Sequence, residues 1–200
     1  MDAEEQALLI ECRQCLESEM PLRKRPGLSS APKLRGFTFL SAKPVLILFN
    51  NEDDDDRLPE AEGLIAQEAC LVVRSKLEQE LAQMPADEAA EFLNEFNIPA
   101  SAMDRVIQQS YQVLNLISFF TIISNEVRAW TLRNGTPALE AAEVIHSDMK
   151  KGFIRAEVVS FKDLTDAGSY AEAKKRGTVR LEGKAYEVQD GDIVQFRFNV

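Results

Sequence analysis

Glu126–Thr131 (E-V-R-A-W-T), Ile145–Val158 (I-H-S-D-M-K-K-G-F-I-R-A-E-V) and Asp190–Val200 (D-G-D-I-V-Q-F-R-F-N-V) decide the fold of this chain. From Glu126 onward the apolar period changes from helical to alternating. Val127, Ala129 and Thr131 oppose Arg128, Trp130 and Leu132, and Asn134-Gly135 makes a turn. Thr136 is placed as the cap and Pro137 as the first residue of a short helix. Ala138, Ala141, Ala142 and Ile145 form its apolar face. Phe153–Val159 alternates again, with Ile154, Ala156 and Val158 inward and Arg155 and Glu157 outward. Asp163–Arg176 reads as loop and helix, and Thr178–Leu181 and Tyr186–Val188 as short strands. After the Asp190-Gly191 turn, Val194, Phe196, Phe198 and Val200 face the core, with Gln195 and Arg197 outward. Strands around one helix in this span predict a ubiquitin-like β-grasp module over residues 126–200.

The region before it is of another kind. Of the 200 residues, 45% are apolar and 28% charged, and the net charge is −10. Residues 126–200 hold 12 Lys and Arg against 12 Asp and Glu, leaving 11 against 21 for residues 1–125. The whole acidic balance lies in the N-terminal part, and a net −10 argues against indiscriminate adhesion to nucleic acid. Ala7, Leu8, Cys12, Cys15, Leu16 and Met20 follow a helical period, and residues 21–36 read as a loop. The continuous V-L-I-L-F run Val45–Phe49 suits a strand covered on both faces in a parallel sheet. Glu60–Ala69 reads as a short helix, Leu71–Val73 as a second strand, and Lys76–Met84 and Asp87–Phe96 as helices split by Pro85. Ser101–Ile117 reads as a longer helix, and the apolar run Val106–Ser124 as buried amphipathic helix rather than a membrane span. The expected class is therefore α+β, with a partial α/β nucleotide-binding-like region over 1–125 and the β-grasp module over 126–200.

Two groups in the N-terminal part invite chemistry. Asn50 and Asp53 lie just beyond the carboxyl end of the first strand, where open α/β sheets bind ligands. An amide and a carboxylate at this spacing fit a purine edge; a solvated acidic loop, Glu52–Asp56, fits the same residues. Cys12-x-x-Cys15 has the spacing of a metal or redox pair but lacks a second ligand pair, so two helix-core cysteines are expected. Three cysteines without an apolar signal region point to a reducing, cytoplasmic setting.

The three quoted stretches, with Arg180–Gln189, resemble the C-terminal TGS domain of the Obg-like ATPases, the YchF family of P-loop proteins. The resemblance runs upstream: Lys43-Pro44 and the strand ending at Asn50 are similar to the family's base-reading motif, and Leu8–Arg23 to the end of its helical insertion. It implies a binding or regulatory protein whose TGS domain contacts the ribosome, RNA or a protein. The alternative it leaves is the C-terminal portion of a split or truncated ATPase needing a P-loop-bearing partner. No G-x-x-x-x-G-K-[ST] cradle occurs, and Gly183-Lys184 is followed by Ala185. No NTPase activity, catalytic residue, cofactor or metal is therefore expected. The family's Asn-x-x-Glu ends here in Asp53, its Ser-Ala turn is Arg74-Ser75, and its Phe-Thr-Ala-Gly is Phe120-Thr121-Ile122-Ile123. Asn50 and Asp53 are thus expected to be a vestige of base recognition, and the altered motifs with Met1 favour a naturally short protein over a fragment.

The expected partner-binding residues are Arg128, His146, Asp148, Lys150, Lys151 and Arg155. His146, the sole histidine, falls near a helix C-terminus, where the dipole favours a cation. It serves either a small basic patch for phosphate or RNA, or a turn-stabilising pair with Asp148. Lys174-Lys175-Arg176 counts only if it shares a surface with Lys150, Lys151 and Arg155. Trp130, inside a strand, is expected in the core rather than as a stacking platform.

Overall fold

The computed structural model describes residues 2–95, 98, 100–123 and 126–199, a mixture of helices and sheets in two compact units, Met1–Val106 and Ile107–Val200.

The first unit opens on α1 (Ala3–Glu17), whose N-terminal amides are met by the Asp2 side chain accepting from the Glu5 N–H at 2.7 Å. Cys12 and Cys15 are its buried residues, and they pack on Leu22, Leu28, Ala31 and Leu34. The last four come from the segment expected as a loop. Leu22–Phe37 instead winds through a 3₁₀ turn, the four-residue α2 (Pro26–Ser29) and a second 3₁₀ turn, and Leu22, Leu28 and Leu34, one from each, bury with Cys12 and Cys15 of α1. β1 (Leu46–Asn50) and β2 (Ala69–Val73) pair in parallel, from Leu46 opposite Ala69 to Asn50 opposite Val73. The link between them holds α3, which spans only Glu62–Ile65, because Ala69 already belongs to β2. α4 (Ser75–Leu81) and α5 (Ala86–Glu95) follow, with Leu77, Leu81 and Ile98 buried together. The expectation that β1 is covered on both faces fails: no residue of the strand is fully buried, and Leu48 is 46% exposed. Among the described residues only β2 pairs with it, so its apolar side chains have little to pack against.

α6 (Ala102–Val113) ends sooner than expected. Asn115 takes a left-handed conformation, φ 53°, which stops a helix. Leu116–Ile123, the second half of the stretch expected as helix, is strand β3. Its F-F-T-I-I content suits a pleated surface and overrides the helical reading. β3 forms an antiparallel hairpin with β4 (Glu126–Arg133), from Leu116 opposite Arg133 to Ile123 opposite Glu126. The sheet therefore begins on the N-terminal side of residue 126.

α7 (Ala138–Ile145) and α8 (Ser147–Lys151) follow, then β5 (Phe153–Ser160), α9 (Phe161–Ala167), α10 (Tyr170–Lys175), β6 (Arg180–Glu182) and β7 (Asp192–Phe198). The strand order is β4-β3-β7-β5-β6. β7 runs parallel to β3 and antiparallel to β5. One sheet face packs Phe119, Leu132, Ala156, Val158 and Val194 against the small Ala138, Ala141 and Ala142 of α7. Alternate positions, Phe120, Val159 and Ile193, meet Leu164, Tyr170 and Ala173 of α9 and α10 on the other face.

Several local expectations are corrected here. A bulge between Phe153 and Arg155 changes the phase of β5, so Phe153 is buried and Ile154 is 58% exposed. Pro137 stays extended because it bridges Glu187, so Pro137, not Thr136, sits at the cap position of α7. The Thr136 hydroxyl donates to the Arg133 carbonyl at 2.6 Å instead. Tyr186–Val188 reduces to that single bridge, and the strand read at Thr178–Leu181 is β6, at Arg180–Glu182. Phe198 is exposed at the end of its strand, whereas Val200 lies outside the described residues. Gly135 and Gly191 hold the two expected turns with φ 81° and 78°, values that suit glycine.

Candidate functional site

Asn50 and Asp53 both turn toward the protein itself. The Asn50 Oδ1 accepts the Ser75 N–H at 3.0 Å, and the Asp53 Oδ1 accepts the Leu77 N–H at 3.2 Å. The buried Arg74 guanidinium donates to the Asp53 carbonyl at 3.3 Å, and Lys76 Nζ lies 3.7 Å from Asp53 Oδ2. Together these bonds tie the loop after β1 to the first amides of α4, which otherwise lack intrahelical acceptors. Each of these bonds uses one acceptor position of its side chain. Nearby, Arg105 spends its nitrogens on Glu78 at 2.7 Å, the Val72 carbonyl at 2.8 Å and the Ala100 carbonyl at 3.2 Å. The polar groups at this end of β1 and β2 are thus satisfied within the unit.

The residues expected as one partner-binding patch divide into two sets. His146 follows α7 and precedes α8, where its Nδ1 accepts the Asp148 N–H at 3.2 Å. His146 is thus the N-cap residue of α8, and its Nδ1 also lies 3.5 Å from Asp148 Oδ2, the turn-stabilising pairing of the two expectations. Lys150 pairs with Glu143, Lys151 with Asp148 at 3.3 Å, and Arg128 with Glu126 at 2.9 Å. Each of these cations has its own carboxylate. Arg155 stands apart, exposed on β5 without an ion pair among the described residues.

Sequence reasoning did not group what surrounds Arg155. The antiparallel register sets Arg155 directly opposite Arg197 of β7, and Glu157 opposite Gln195. Glu157 is only 5% exposed, covered by the α9–α10 segment. It accepts from Arg197 Nε at 3.1 Å and from the Tyr170 hydroxyl at 2.9 Å, with Lys174 Nζ at 3.6 Å. The Arg197 bond holds the Glu157 carboxyl below the usual carboxylate range, against the opposing push of burial. Burial, followed by the Glu157 hydrogen bond, pushes the Tyr170 phenol up to about 12. Of the Lys174–Arg176 run, only Lys174 joins this cluster; Lys175 and Arg176 pair with Glu172 at 3.5 Å. The outward alternation of Arg155 and Arg197 was readable as a period of two, but their facing one another depends on register.

Cys12 and Cys15 belong to the core of the first unit. The Cys15 thiol donates to the Met20 carbonyl at 3.3 Å, and burial, then Cys15 and Glu11, raise the Cys12 thiol above its ordinary value. A thiol held protonated suits packing and not thiolate chemistry. Among the described residues no group of three or more His, Cys, Asp or Glu side chains is placed to hold a metal ion. Nor is any described helix long and apolar enough to cross a membrane. Trp130 packs partly buried against the α7 core and donates from Nε1 to the Thr121 hydroxyl at 3.0 Å.

Comparison with known proteins places these features in a lineage. Residues 116–199 match the YchF-GTPase_C family, described as a protein of unknown function, DUF933. The "Ribosome-binding ATPase YchF" of Bacillus subtilis is 40% identical over 203 residues, covering 96% of this chain and 56% of that protein. The protein of the same name from Escherichia coli O157:H7 is 38% identical, covering 98% of this chain and 56% of that protein. The structure of the Schizosaccharomyces pombe YchF GTPase superposes with a TM-score of 0.81 at 30% identity, over 97% of this chain and 54% of that one. The chain thus spans about half the length of the relatives it matches.

Proposed function

We propose, on the premise that this chain belongs with the C-terminal part of the YchF family, that it is a non-hydrolysing binding protein whose C-terminal sheet contacts the ribosome. The observation that carries the reading is the strand order β4-β3-β7-β5-β6, with the first and last strands of the sheet parallel at its centre. That order, wrapped on α7, supports a β-grasp, TGS-like module that includes β3 and so starts before residue 126, preceded by a partial nucleotide-binding-like region. The relatives' name, ribosome-binding, supplies the partner. In this reading Asn50 and Asp53 are a vestige of base recognition, consistent with their bonds to the amides of α4. Arg128, His146, Asp148, Lys150, Lys151 and Arg155 remain the partner-binding candidates of the module, and among the described residues Arg128, Lys150 and Lys151 have a carboxylate partner where Arg155 has none. The chain carries no P-loop motif, so no hydrolysis is assigned to it.

Co-sedimentation with ribosomes at low and raised salt tests the proposal. The chain is expected in the pellet at low salt and depleted from it as salt rises; a chain that stays in the supernatant at low salt defeats the reading. Calorimetric titration with ATP and with GTP is expected to give no heat, and binding of either would restore the base-reading role of Asp53.

A second reading, the C-terminal portion of a split ATPase, is favoured by the two-stranded parallel sheet. Parallel sheets are ordinarily covered on both faces, yet Leu48 of β1 is 46% exposed. Mixing with a P-loop-bearing protein of the family and measuring ATP hydrolysis tests it; a rate above that of the partner alone would favour this reading over the first.

A further inference from the structure

We infer that the outer edge of β4 pairs with β4 of a second copy of this chain, antiparallel about Ala129, joining two five-stranded sheets into one. β4 ends the strand order β4-β3-β7-β5-β6, and among the described residues only β3 pairs with it. At the other end of the sheet β6 is three residues long, whereas β4 runs eight residues without proline or bulge. A long, regular edge of this kind is a template for another strand. Two observations fix which backbone groups it offers. The Asn134 N–H donates to the Asn115 carbonyl at 2.9 Å, in phase with the β3–β4 register, so Leu132, Trp130, Arg128 and Glu126, at every second position from it, bond to β3. Ser118, opposite Thr131, donates its N–H to Asp190 at 2.8 Å and accepts the Gly191 N–H at 2.8 Å, both on the side away from β4. Val127, Ala129, Thr131 and Arg133 therefore turn their N–H and C=O groups outward.

The partner is a second copy because the strand is complementary to itself. A two-fold axis normal to the sheet sets the strands antiparallel with like faces together, so odd positions meet only odd positions, and the outward groups are all at odd positions. With the axis at Ala129, Val127 stands opposite Thr131 of the second copy, and the outward groups of all three residues find partners. Val127, 61% exposed, then lies against another β-branched side chain on the pleated surface. The smallest side chain of the strand meets itself at the axis; an axis one residue to either side would bring two Arg128 or two Trp130 side chains together instead. Arg128 keeps its own Glu126 at 2.9 Å, so this ion pair adds no net charge to the seam. Nor does the charge of the unit oppose pairing: Ile107–Val200 carries 12 Lys and Arg against 12 Asp and Glu, and a net charge near zero favours association.

Sedimentation velocity of the whole chain over a concentration series, with amide hydrogen exchange read by NMR, tests the inference. The parent is expected to climb from 22.4 kDa toward twice that mass as concentration rises. In the dimer the amides of Val127, Ala129 and Thr131 are expected to become protected, whereas those of Arg128 and Trp130 are protected in monomer and dimer alike. Ala129→Pro removes one outward donor from each copy at a position where an edge strand tolerates proline, and is expected to weaken the dimer about thirty-fold. Ala129→Lys and Ala129→Glu set like charges opposite one another; each is expected to weaken the dimer up to about five-fold, and an equimolar mixture of the two to recover it. Circular dichroism and Trp130 fluorescence check that each variant folds. A parent that stays at 22.4 kDa with its outward amides exchanging freely overturns the inference. So does a dimer unchanged in all three variants, which would use another surface. A monomeric parent whose outward amides gain protection only when ribosomes are added would give the edge to a different chain, and that too overturns self-pairing.

Discussion

The two sheets of this chain hold their apolar residues very differently. β1 and β2 form a parallel pair in which only Val73 is fully buried. The five-stranded sheet has Phe119, Ala156, Val158 and Val194 at 0% exposure, with α7 against one face and α9–α10 against the other. A strand run of V-L-I-L-F is at least as apolar as any in the larger sheet, so composition does not account for the difference. Layers do: a strand buries its side chains only when elements stand on its faces. The first unit carries ion pairs at the ends of its elements, Arg23 to Glu68 at 2.7 Å and Arg105 to Glu78 at 2.7 Å. The larger sheet uses a buried carboxylate, Glu157, to hold surface cations.

This contrast can be broken by mutation. Phe119→Ala should have the largest effect, a loss of about 3–5 kcal/mol in denaturant unfolding, because the ring is fully enclosed and meets Phe196 edge-on. Trp130, the one tryptophan, reports on this unit by fluorescence. In the first unit, Glu68→Ala should cost about 2–3 kcal/mol, since it leaves Arg23 and Lys24 without their shared carboxylate. Hydrogen exchange of the β2 amides would register that loss while the β5 amides stay protected. Gly152→Ala should cost about 1–3 kcal/mol, because an added Cβ would fall 2.0 Å from the Asn199 carbonyl oxygen, closing the gap between α8 and the end of β7. Leu48→Ala should cost least, under about 1 kcal/mol, in keeping with its exposure. A Leu48→Ala loss as large as that of Phe119→Ala would abolish the contrast.

The pH dependence sharpens it further. The folded Glu157 carboxyl titrates below its ordinary value, so the unfolded chain binds protons first as pH falls. Its contribution is present above the ordinary value of 4.5 and is lost as pH falls through the lower, folded value. Tyr170 and Tyr186 behave oppositely. Both are raised from 10.0 to about 12, Tyr170 by burial and Glu157, Tyr186 by burial and Asp192. Their contribution is complete below pH 10 and disappears as pH rises to about 12. Tyr170→Phe should remove part of this alkaline limb in unfolding curves followed at Trp130.

Local signals carried much of the architecture. Asn134-Gly135 and Asp190-Gly191 marked their turns, and the spacing of Ala138, Ala141 and Ala142 marked the α7 face. The alternation in Asp192–Phe198 located the central strand, and the lineage was legible in the same stretches. Other features escaped because they depend on partners distant in the chain. β3 was hidden inside an apolar stretch whose period suits a helix, until Asn115 turned left-handed and Leu116–Ile123 paired with Glu126–Arg133. The bulge that exposes Ile154 exists only because β5 must register with β7.

By itself, then, the sequence determined the turns at Asn134-Gly135 and Asp190-Gly191, the α7 face, the family and the lack of a P-loop, all of which depend on residue types and spacings a few positions long. Tertiary structure alone decided that Asn50 and Asp53 serve the amides of α4, that Lys150 and Lys151 are matched by carboxylates, and that Arg155 faces Arg197 across the ladder. The reason is that hydrogen-bond partners and strand register join residues tens of positions apart, and no local pattern specifies which of the chemically equivalent partners will meet.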